Sequence, residues 1–61
     1  MLVNSMRIRI ITINNLVFDL IVKGNNFDEI VNKIFQKKYI RVNNKTFLQT
    51  NSIAIIQHIY F

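Results

Sequence analysis

The stretch 26–38, NFDEIVNKIFQKK, decides the fold, because it carries the local signals of one short amphipathic helix. Phe27, Ile30, Val31, Ile34 and Phe35 recur at offsets of three and four, which lays them along one helical stripe. Asn32, Lys33, Gln36 and Lys37 fall on the opposite side. Asn26 precedes the first apolar position and Glu29 follows it by three residues, the pattern of a helix N-cap. Asp28 and Glu29 sit at the positive end of the expected helix dipole, Lys37 and Lys38 at the negative end. Glu29 and Lys33 are spaced for an i,i+4 ion pair.

Both flanks read as strand. Residues 6–13 and 16–23 are rich in β-branched and aromatic side chains and are separated by Asn14-Asn15, a pair tolerant of tight-turn backbone. A two-residue turn would place Arg7 and Arg9 beside Phe18, Leu20 and Val22. A three-residue or bulged turn sets Met6, Ile8 and Ile10 there instead and brings Arg9 near Asp19 on the other face. The second register separates charge from core and is the expected one. Beyond the helix, 39–42 predicts a strand, Asn43-Asn44 a turn and 45–49 its return, with Ile40 opposite Phe47 and Arg41 opposite Thr46. Thr50-Asn51-Ser52 is polar punctuation. The last strand, 53–61, alternates Ile53, Ile55, Ile59 and Phe61 on one face with Ala54, Ile56, His58 and Tyr60 on the other.

The expected architecture is a single α+β domain over residues 1–61: one helix packed on a small antiparallel sheet of four or five strands. The element order is ββαβββ, or ββαββ if the last return is one bent strand.

A chain of 61 residues buries only about 60% of the surface its unfolded form exposes, so its own core is marginal. Domains of this size commonly add disulfides, a metal or an oligomer interface. Cysteine is absent, which removes disulfides and thiolate metal sites, and His58 alone does not build a zinc site. Oligomerisation, with a homodimer as its simplest form, is the remaining way to add stability. Lack of cysteine also fits a cytoplasmic location. Ile and Asn supply about a third of the residues, and their excess with Lys and Phe matches the codon bias of an AT-rich genome.

The formal charge of +5 suits nucleic acid, acidic protein surfaces or solubility of a small apolar chain. No apolar run reaches the ~18 residues of a membrane span. Arg7, Arg9, Asn14, Asn15 and Asp19 interrupt any leader-like apolar segment.

Little here suits catalysis. Asp28 and Glu29 are the only neighbouring carboxylates, and adjacent helical residues diverge by about 100°. Asp19 is accounted for by Arg9. His58 beside Tyr60 reads as a structural strand histidine, and neither Ser5 nor Ser52 has a histidine near it to act as base. A single glycine, Gly24, excludes a glycine-rich phosphate cradle. The expectation is a non-enzyme with no cofactor and no metal.

The strands are apolar on both faces, whereas one helix covers only one. The uncovered face is expected to display Ile11, Ile13, Val17, Ile21, Ile56 and Tyr60, bordered by Arg7, Arg9 and Lys23, with Tyr39 and Arg41 nearby. Such a patch usually marks a contact surface, here for a second copy of the chain or a larger protein. The rival reading is a nucleic-acid surface in which Tyr39, Arg41, His58 and Tyr60 stack bases and meet phosphates.

Residues 38–56, KYIRVNNKTFLQTNSIAII, contain an I-x-V-N-x-K run followed by T-x-S-I-x-x-I. In these features the last third of the chain resembles short proteins of phages and mobile elements from AT-rich bacteria. The resemblance implies a protein that binds and blocks a larger host protein, bacterial defence machinery included. It assigns a role to no individual residue.

Overall fold

The computed structural model describes residues 4–59. Along these residues the order is β1 (Ser5–Thr12), β2 (Val17–Lys23), α1 (Phe27–Phe35), β3 (Tyr39–Asn43), β4 (Thr46–Gln49), a 3-10 turn (Thr50–Ser52) and β5 (Ile53–His58). The α+β class and the ββαβββ order are as expected. The strands do not form one sheet, however. They divide into a three-stranded antiparallel sheet, β2-β1-β5, and a separate β3-β4 hairpin.

The β1–β2 register follows the separation of charge from core. Met6 faces Val22, Ile8 faces Leu20, Ile10 faces Phe18 and Arg9 faces Asp19. A three-residue loop, 13–15, makes this possible. Thr12 donates its N–H to the Leu16 carbonyl at 2.9 Å, and Asn15 takes the left-handed conformation at φ 68°. Asparagine visits that region at low cost because its short amide can bond locally. Thr12, itself buried, braces the loop: its hydroxyl accepts the Leu16 N–H at 3.0 Å and donates to the Asn14 amide oxygen.

β1 is the central strand, and its inward side chains Ile8 and Ile10 are wholly buried. They meet Ile30 and Ile34, the two buried positions of the helical stripe. Phe27 also packs on this cluster, whereas Phe35, at the end of the stripe, stays exposed. The helix begins where the cap chemistry places it. The Asn26 amide oxygen accepts the Glu29 N–H at 2.8 Å, satisfying one of the otherwise unpaired donors of the first turn. The Glu29–Lys33 pair closes at 3.2 Å. Asn26→Ala is expected to lower stability by about 1 kcal/mol, read as a reduced urea midpoint at unchanged slope. An unchanged midpoint would mean that water replaces the cap without loss.

Only residues 36–38 separate α1 from β3, a reach of at most about 14 Å, so β3 starts close to the end of the helix. Thr50 anchors this junction. Its hydroxyl donates towards the carbonyls of Lys37 and Lys38 at 2.6 and 3.2 Å, and its N–H bonds the Lys38 carbonyl at 2.9 Å.

The β3–β4 pairing differs from expectation by one residue. Ile40 faces Leu48 and Arg41 faces Phe47, because the register shifts at Val42 and the turn falls on Asn44-Lys45. Asn43 supports that turn by accepting the Lys45 N–H on its side chain at 2.9 Å. The shift turns Leu48 towards the core and leaves Phe47 outside, where the Arg41 guanidinium lies 4.9 Å from its ring centre.

Candidate functional site

The side of the three-stranded sheet away from α1 can be read row by row, because directly opposed residues in antiparallel strands lie about 4.5–5.5 Å apart on one face. The row nearest the β1–β2 loop is Val17–Ile11–Ile55. The next is Asp19–Arg9–Gln57. The third pairs Ile21 with Arg7 and continues to Ile59, whose N–H bonds the Arg7 carbonyl at 2.9 Å.

The first row is the apolar one, and the loop extends it. Val17 is 55% exposed and Ile55 46%, while Ile13 and Leu16 in and beside the loop reach 71% and 51%. Ile13 is held by its N–H, which donates to the Ser52 carbonyl at 2.8 Å. Ile13, Val17 and Ile55 give this end of the sheet an apolar tip around Ile11, with Leu16, opposite the inward Thr12, exposed at the same end.

Of the expected contact residues, Ile11, Ile13 and Val17 belong to this tip. Ile21 lies on the same face and is 68% exposed, but the Arg9–Asp19 row cuts it off from the others. Ile56 is a correction. It opposes Ile10 and packs against the buried cluster, on the inner side of the sheet. The cause is a bulge: Ile11 pairs with Ile55 and Thr12 with Ile53, leaving Ala54 as an extra residue. One extra residue reverses the facing of everything on one side of it. Ile53 and Ile56 therefore point inward together, and Ile55 takes the outer position. Tyr60 lies outside the described residues.

The expected basic border is also rearranged. Arg9 is spent on Asp19, with Nε to Oδ1 at 2.9 Å and Nη2 to Oδ2 at 3.3 Å. The hydrogen bonds from Arg9 hold the Asp19 carboxyl below its ordinary range, with the charges of Arg9 and Arg7 adding to the effect against partial desolvation. The same hydrogen bond raises Arg9. Arg7 and Lys23 remain on the outer face, while Arg41 stands on the other sheet.

Of the stacking constellation expected for nucleic acid, the described members stand on different faces and sheets. His58 opposes Ile8 on the inner side and stacks on Phe27, with ring centres 5.9 Å apart and planes 13° from parallel. Tyr39 and Arg41 are on β3. Among the described residues no three His, Asp or Glu side chains converge as a metal site. No helix there is long and apolar enough to cross a membrane.

A feature the sequence reading missed is an open groove of about 590 Å³ between β2 and β3, backed by the second half of α1. Among the described residues Lys23, Lys33, Lys37 and Arg41 line it, and no carboxylate does. Lys33 and Lys37, four apart in the stretch read as helix, were the available signal, although α1 ends at Phe35 and Lys37 falls in the turn that follows it. The rest of the groove depends on how β3 sits beside β2, which no local pattern encodes. The chain matches no protein-family model, no curated protein and no solved structure.

Proposed function

We propose that this protein is a non-catalytic binding module of the cytoplasm. It assembles with itself, in the simplest case as a dimer, and covers a surface of a larger protein. The observation that carries this reading is the apolar tip, where Ile13, Val17 and Ile55 stay exposed around Ile11. At about 25 cal/mol per Å² of apolar surface, covering such a cluster is a substantial driving force for association. A chain with so small a core gains from it directly.

The resemblance of residues 38–56 to phage and mobile-element proteins supports the more specific form: an inhibitor that masks a host protein, defence proteins among them. The side chains available fit masking better than chemistry. The adjacent acids of α1 are occupied as helix-end charge and as the partner of Lys33, and Asp19 is held by Arg9.

Ile13→Lys tests the reading. Its side chain already faces solvent, so the fold is expected to survive with unchanged circular dichroism and thermal midpoint. Light scattering over a concentration series should find the parent chain above its 7.3 kDa monomer mass and the variant at it. A parent chain that stays monomeric at millimolar concentration removes the self-association. For the host target, a host protein retained by the immobilised parent chain should, once purified, be inhibited by the parent and not by the variant.

A further inference from the structure

The groove between β2 and β3 has walls of an unusual kind: both are strand edges with unused main-chain groups. In the β1–β2 pair, Thr12 bonds Leu16 and the Gly24 N–H bonds the Asn4 carbonyl at 3.0 Å, so the even-numbered residues of β2 are the ones bonded to β1. Antiparallel strands alternate in this respect. Ile21 and Lys23 therefore direct their N–H and carbonyl groups away from β1, into the groove. On the other wall, the Thr50-to-Lys38 bond and the Ile40–Leu48 pairing turn Ile40 towards β4. Tyr39 and Arg41 then direct their main-chain groups at β2. Among the described residues no backbone hydrogen bond joins the two edges. Exposed edges of this type are templates for a further strand.

From these walls and their charge we infer that the groove is a second binding site, taking an extended acidic segment of a partner protein as an added strand on the β2 edge. Main-chain groups of Ile21 and Lys23 would pair with the segment, and Lys23, Lys37 and Arg41 would meet its carboxylates. Each feature selects part of this occupant. Free edges call for a peptide backbone, because bases and phosphates cannot continue a ladder of alternating donors and acceptors. Lys33 already pairs with Glu29, but Lys23, Lys37 and Arg41 have no carboxylate among the described lining residues and call for negative charge. Leu20, Val22, Ile34 and Ile40 supply an apolar lining for alternate side chains of the segment. The volume lies within the roughly 300–1,000 Å³ usual for ligand sites. β2 and β3 approach within 8 Å at their nearest, less than the roughly 9.6 Å an intervening strand spans, so occupation would extend the three-stranded sheet by one strand while the β3–β4 hairpin moves outward.

This site is separate from the apolar tip, and the test keeps the two apart. The probe is a fluorescein-labelled octapeptide of alternating glutamate and valine, titrated by polarisation. Controls are its lysine–valine counterpart, a form N-methylated at alternate residues, and oligo(dT). The acidic peptide is expected to bind, and the lysine peptide not to. Lys37→Glu and Arg41→Glu, both at exposed positions, should each weaken binding about tenfold. N-methylation should abolish it, because the ladder cannot form. Ile13→Lys should bind the peptide as the parent does, whatever its effect on assembly. Equal binding of the N-methylated peptide would overturn strand addition and leave only charge attraction. Binding of oligo(dT) with none of the acidic peptide would make the groove a nucleic-acid site, and binding of neither would remove the site.

Discussion

Ile30→Ala is expected to remove most of the stability of this protein. Ile30 is fully buried and stands where the helix meets Ile8 and Ile10. Truncations of this kind cost about 2–5 kcal/mol, the transfer term plus the cavity left behind. Domains hold roughly 0.05–0.15 kcal/mol per residue, which for this chain is only about 3–9 kcal/mol in total. The variant should therefore unfold at low urea or be largely unfolded without it. Val31→Ala, one position round the helix and only partly buried, is the matched control and should cost less.

Gly24 reports on the same contact from the other side. A Cβ on Gly24 would lie 2.6 Å from Cγ1 of Ile30, closer than packed carbons tolerate. Because Ile30 has no room to retreat, Gly24→Ala should cost about 1–3 kcal/mol. In the Ile30→Ala background Cγ1 is gone, and the same glycine substitution should cost much less. Simple additivity of the two changes would mean that the pair does not touch in solution.

The second large effect separates two neighbouring isoleucines. Ile56→Lys is expected to destabilise by about 2–4 kcal/mol, combining lost apolar burial with the cost of a charge facing an apolar cluster. Ile55→Lys should leave the folded state within about 0.5 kcal/mol, as exposed substitutions usually do. Only the bulge at Ala54 produces this contrast. If β5 alternated without interruption from Ile53, an inward Ile53 would bring Ile55 inward and turn Ile56 out. Equilibrium urea unfolding of the two variants decides it, and a greater loss for Ile55→Lys would put the extra residue elsewhere. Where Ile55→Lys keeps the fold, it should also loosen self-association, since Ile55 belongs to the apolar tip.

These neighbours also mark the boundary of what could be read before the structure. The helix, its Asn26 cap and the Glu29–Lys33 pair were legible because they depend on residues within one or two turns of each other. The β1–β2 register was legible for a related reason: its loop is short, and only one spacing keeps Arg7 and Arg9 away from Phe18, Leu20 and Val22. The facing of Ile56 was not, because it depends on where a strand about forty residues from β1 inserts one extra residue. Ile55-Ile56 offers the same apolar side chain to either face. At Val42 the same kind of shift changed the partners of Ile40 and Arg41.

What the amino-acid order determined unaided was therefore local: which segments are helix or strand, how the helix starts, and which face of the first hairpin is apolar. The tertiary structure alone decided that the strands divide into two sheets, that Ile55 replaces Ile56 at the surface, and that four cations gather between two open edges. The physical reason is the range of the forces that choose. Capping bonds and turn geometry act across a few residues, whereas bulge position and sheet partition follow from fitting distant strands onto the same buried isoleucines.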